Sequence, residues 1–149
     1  MPVAPGLTKE EMVEAIVEAY RRMSSQGGWQ HIITEHTVMN NRPVSGTATI
    51  EPVNWVYMLA AQHWVFSVTN KADQTVTLEQ VGNLSASTQG MGGLGPTKTL
   101  ATNGGNRFSV SRDRYWMPYI SMQASYATGP AAGSTLTIIM AVERLIWVT

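Results

Sequence analysis

Residues 119–142 read YISMQASYATGPAAGSTLTIIMAV. In the first half Ile120, Met122, Ala124 and Tyr126 alternate with Tyr119, Ser121, Gln123 and Ser125. In the second, Leu136, Ile138, Met140 and Val142 alternate with Thr135, Thr137, Ile139 and Ala141. Successive side chains on a strand point to opposite faces, so each half is a strand with one apolar face. Residues 127–133, ATGPAAG, break the run, and two such strands around a Gly/Pro break predict an amphipathic β-hairpin.

The same pattern recurs upstream. Trp64, Phe66 and Val68 share one face of 63–69, and Asn70-Lys71-Ala72-Asp73 has the residue types of a tight turn. Val76 and Leu78 then point inward while Thr75, Thr77 and Glu79 point outward, a second predicted hairpin. Further strands are expected at 29–40, 44–50, 55–59, 107–111 and 145–149, with Asn40-Asn41-Arg42-Pro43 as a turn and a bend at Ala60-Ala61. The stretch 82–105 holds more than half of the glycines and one charge, Lys98, and reads as a long loop carrying a short strand near 97–101. Seven to eight short strands without βαβ alternation predict an all-β fold, a β-sandwich or jelly-roll-like domain.

One helix precedes the strands, over 8–26. Thr8 and Glu11 have capping-box spacing, Glu10, Glu11 and Glu14 suit the positive end of the helix dipole, and Gly27-Gly28 ends the segment. Met12, Ala15, Ile16, Ala19, Tyr20 and Met23 form an apolar stripe that Val13 and Val17 widen, expected to cover a sheet face or an open end of the sandwich or, alternatively, to touch another subunit. Residues 1–7, with Pro2 and Pro5, read as an extended arm before a single domain over 8–149.

Composition narrows function. Charged residues make up 13% of 149 and are uneven, with Lys9, Glu10, Glu11, Glu14, Glu18, Arg21 and Arg22 all in the helix. From Tyr115 onward only Glu143 and Arg144 are charged. Zero net charge without a basic run argues against nucleic acid and against an anionic membrane surface. No cysteine means no disulfide framework and no thiolate metal site. The start, MPVAPGL, lacks the basic and apolar regions of a signal peptide, so synthesis in a host cytoplasm is expected.

No chemistry converges. His31 and His36 fall on opposite faces of a strand, and neither they nor His63 have metal-ligand spacing. Asp73 and Asp113, the only aspartates, read as turn residues. Gly92-Gly93-Leu94-Gly95-Pro96 looks like a phosphate cradle but lacks the lysine and the following helix. Asn83-Leu84-Ser85 matches the N-glycosylation pattern. The expectation is a protein without catalytic residues, cofactor or metal.

The alternating units with Ser/Thr outer faces at 64–83 and 119–140, joined by Gly/Ser/Thr loops, resemble small all-β structural proteins of virions, such as bacteriophage capsid decoration and tail or fibre modules. The resemblance implies a virion location and a homo-oligomer within a larger protein assembly. Low charge, five tryptophans and nine methionines independently suit packing against copies of the same chain. The residues expected to make that contact are Pro2, Val3, Pro5 and Leu7 in the arm, Val13 and Val17 in the helix, and Leu145, Ile146, Trp147 and Val148 at the end. An alternative is an extracellular carbohydrate-binding module or adhesin in which Trp116, beside Arg112 and Arg114, stacks on a sugar ring.

Overall fold

The computed structural model describes residues 8–26, 28–111 and 116–148. They form one helix, α1 (Lys9–Gln26), and ten strand segments: β1 (Gly28–Pro43), β2 (Thr49–Ile50), β3 (Val56–Tyr57), β4 (Ala61–Lys71), β5 (Val76–Asn83), β6 (Gly92–Gly93), β7 (Lys98–Leu100), β8 (Gly105–Ser111), β9 (Tyr119–Tyr126) and β10 (Thr135–Val148). Two compact units are distinguishable. Unit 1 holds the described residues up to His31 together with those from Leu145 onward; unit 2 is Ile32–Arg144. The sequence had suggested one domain over 8–149.

Unit 2 is a two-sheet sandwich. One sheet has the order β1-β10-β4-β8; the other is built on β9 paired with β5. β2 and β3 both pair with β9, at its Ser125 and Tyr119 ends, as two pieces of one broken strand. β6 and β7 likewise share the free edge of β5. Counting each broken strand once gives eight strands in the orders 1-8-3-6 and 2-7-4-5. The chain thus changes sheet at every connection except that between strands 4 and 5. This is a jelly roll, the fold class the alternation suggested.

The two predicted hairpins are not hairpins. β4 pairs with β10 and β8, β5 pairs with β9, and β9 and β10 lie in different sheets. Each Gly/Pro or Asn/Asp break is an arch that carries the chain from one sheet to the other. The inward faces were read correctly: Trp64, Phe66 and Val68 meet Val76, Leu78, Ile120, Met122, Ala124, Tyr126, Leu136, Ile138, Met140 and Val142 in one buried cluster. Alternation fixes which face is inward but not which strand lies alongside, and an arch satisfies it as well as a hairpin.

Other boundaries also shift. β1 runs straight through Asn40–Pro43, with Asn41 at φ 44°, and the turn comes at Ser45-Gly46. Asn41 can hold this conformation because its side chain accepts a hydrogen bond from Thr137 Oγ1 while its backbone N donates to that oxygen. The predicted strand 55–59 shrinks to β3, and Ala60, at φ 58°, makes the expected bend.

One end of the sandwich is sewn shut by polar contacts. Asn70, fully buried, shares its amide hydrogens among the carbonyls of Gln74, Leu100 and Ala101 and accepts from the Tyr126 hydroxyl at 3.1 Å. Burial pushes the Tyr126 hydroxyl up to about 12, so it stays a donor at neutral pH. Asp73 Oδ1 accepts from Ala131 N at 2.9 Å, tying the two arches together. Gly129 lies against Gly46, where an added Cβ would come within 2.7 Å of backbone.

Replacing Asn70 with alanine should orphan buried carbonyls and the Tyr126 hydroxyl and cost about 3 kcal/mol, against about 1 for Tyr126→Phe, which leaves the carbonyl contacts intact. Urea melts of the two variants check the ratio; equal losses would contradict the hub role of Asn70.

Candidate functional site

α1 begins as its residues dictate. Glu11 N donates to Thr8 Oγ1 at 3.2 Å and Thr8 N donates to Glu11 Oε2 at 3.4 Å, a formed capping box. Glu18 and Arg22 pair at 3.4 Å along the exposed surface. The apolar stripe, however, is open. Met12, Val13, Ile16, Val17 and Tyr20 are each between 44% and 64% exposed. In the same unit Trp29 and Trp147 meet edge to face at 5.5 Å and are 64% and 51% exposed. Leu145, Ile146 and Val148 are half-buried. Of the expected contact residues, Val13, Val17 and the 145–148 segment therefore fall within unit 1, whereas Pro2, Val3, Pro5 and Leu7 lie outside the described residues.

The second candidate surface is at the end of the sandwich opposite Asn70. Trp116 donates from Nε1 to Met58 O at 3.0 Å, and Met58 N donates to Pro118 O. Tyr57 and Tyr119, register partners on β3 and β9, place their rings 5.2 Å apart at 33°. Trp116 is 37% and Tyr57 52% exposed. The tyrosine pair was missed in the sequence because Tyr57 and Tyr119 become neighbours only through strand pairing. Arg112 and Arg114 lie outside the described residues.

The described titratable groups lie singly or in pairs. Among the described residues no cluster of three or more His, Asp or Glu side chains could hold a metal. His63 Nδ1 lies 3.3 Å from Glu143 Oε2, but on the outer face of a sheet rather than in a cleft. An open depression of about 380 Å³ on that sheet is lined by Glu35, Val65, Ser67, Arg107, Ile139 and Ala141. It brings together one carboxylate, one guanidinium and apolar side chains.

His36 is used structurally. Arg144, at a bulge in β10, donates to Leu59 O at 2.7 Å and to Thr34 Oγ1 at 3.3 Å; its other nitrogen lies 3.2 Å from His36 Nε2. Desolvation, then the Arg144 charge, holds His36 below its ordinary range, so the ring is neutral at pH 7 and Nε2 accepts. The glycine-rich stretch is structural too. Gly92 and Gly93 pair with β5, and a Cβ on Gly82 would strike Leu94 and Met117. Asn83 is buried and spends its amide on the Ser87 and Gln89 carbonyls at 2.6 and 2.9 Å, so the glycosylation sequon is closed in the folded chain.

No family model and no curated protein matches the chain. Solved structures do. A chain from the structure of infectious bursal disease virus strain Gx aligns over 79% of this chain at 11% identity and a TM-score of 0.45, and this chain spans about a third (35%) of its length. A chain from Bacillus endospore appendages, described as disulfide-linked pili, aligns over 80% of this chain and 88% of its own, at 14% identity and TM-score 0.35. A family 4 carbohydrate-binding module aligns over 76% and 71%, at 15% identity and TM-score 0.33.

Because the folded pKa of His36 is depressed, the unfolded chain binds the extra proton first as pH falls below 6.5, the ordinary histidine value. His36 should cost the protein stability only below that pH. Chemical denaturation from pH 8 to pH 5 should show a steeper loss for the wild type than for His36→Gln; parallel profiles would contradict the assignment.

Proposed function

We propose that this chain is a non-enzymatic structural protein that self-associates, of the kind that decorates a capsid or forms a tail or fibre module of a virion, with copies of itself as its first partner. The observation that carries the reading is the open apolar stripe of α1. Most helical stability in proteins comes from tertiary packing of an amphipathic face, and here five large apolar residues on that face remain exposed. A partner that covers them stabilises the helix. The jelly-roll order is one that virion proteins share with lectins, which is an analogy of fold and adds no site.

A second reading, a carbohydrate-binding module or adhesin, is favoured by one observation: Trp116, Tyr57 and the half-buried Tyr119 present aromatic surface at one end of the sandwich. The rings could stack on a pyranose. Trp116→Ala would then lose glycan-array signal while the chain stays folded at a modest stability cost from the lost bond to Met58 O.

Light scattering and negative-stain microscopy on one sample test the first reading. The wild type should form a discrete oligomer or an open array. Val13→Glu/Val17→Glu and a chain lacking 145–149 should lose assembly while keeping the β signal in circular dichroism. A monomeric wild type at micromolar concentration would contradict self-association and bring glycan screening forward.

A further inference from the structure

We infer that two copies of the chain join through antiparallel packing of their α1 helices, crossing at Ile16; this rests on the self-association reading above. The argument is the charge pattern around the open stripe. Eleven residues make close to three helical turns, so Glu10 and Arg21 stand on one side of the helix and Glu11 and Arg22 on the other, each about 120–140° round from Ile16. Each flank therefore has its acid in the first turns and its base about three turns later.

That arrangement separates the two possible orientations. In a parallel pair, the Glu10 flank of one helix meets the Glu11 flank of the next at the same level, acid against acid and base against base. In an antiparallel pair related by a two-fold axis, each flank meets its own copy running the other way. The acidic first turns of one helix then lie level with Arg21 and Arg22 of the second copy on both sides, an attraction at long range rather than a set of bridges. The helix dipoles also oppose one another, which favours the antiparallel choice.

The apolar residues fit the same centre. With the axis at Ile16, that residue meets its own copy and Met12 meets Tyr20 on either side of it. All three are exposed in the single chain. Lys9 stands on the stripe side at the first helical position, ahead of the contact.

The absence of native cysteine makes a direct test possible. Single cysteines replace Ile16, Met12 and Tyr20 in the full-length protein, all at exposed positions. Mild oxidation should cross-link Ile16→Cys with itself, and should cross-link Met12→Cys to Tyr20→Cys when the two are mixed but neither alone. Glu10→Arg/Glu11→Arg and Arg21→Glu/Arg22→Glu should each weaken association on the order of tenfold or more, and mixing them should restore it. Met12→Cys linking to itself would overturn the antiparallel geometry. An oligomer that yields no α1 cross-link in any combination would overturn the helix contact while leaving self-association intact. A monomer by light scattering would overturn both.

Discussion

The sandwich depends on one constraint: nearly every loop has to carry the chain across the core, from one sheet to the other. Two sheets pack about 10 Å apart, so a two- or three-residue turn cannot make the crossing. The arches at 72–75 and 127–134 can, but they leave backbone polar groups at the edge of a dry interior. Asn70 and Asp73 meet that demand. Asn70 gathers three carbonyls and a phenol in a site with no solvent access, and Asp73 holds the second arch against the first. In a low-dielectric interior these bonds are strong when complete and costly when broken.

The core of unit 2 is thus closed, while the apolar stripe of α1 in unit 1 is open. The sandwich buries its Trp64, Phe66, Met58 and Met140 entirely and satisfies Trp64 Nε1 on Gln80 at 2.8 Å. The helix and the two edge-to-face tryptophans leave apolar surface in water. The capped, charged, amphipathic helix with its stripe in water is the surface that the proposed self-association uses.

Much of this was legible in the sequence. The inward faces of β4, β5, β9 and β10, the Thr8–Glu11 cap and the bend at Ala60-Ala61 follow from period and local chemistry, and those signals act over a few residues. Strand partners were not legible, because Ile120 buries its side chain equally well whether Tyr119–Tyr126 pairs with the next strand or faces it across the core. Nor was the Asn40–Pro43 turn real: Thr137, almost a hundred positions away, supplies the hydrogen bonds that keep Asn41 in a strand. Asn83 matched a modification motif that its own carbonyl contacts close. At Asn41 a long-range contact overrode a local signal, and at Asn83 carbonyls four and six residues on did so. The open state of α1 was not legible either, since a stripe of apolar residues looks the same in sequence whether it packs within its own chain or stays in water.

Amide hydrogen exchange of the wild type at two protein concentrations tests that central contrast most directly. The account predicts that α1 amides exchange quickly in dilute solution and become protected as concentration rises, while the amides of β4, β5, β9 and β10 are protected equally at both. Strong α1 protection that is independent of concentration would mean that the helix is stable without a second chain, and would contradict it.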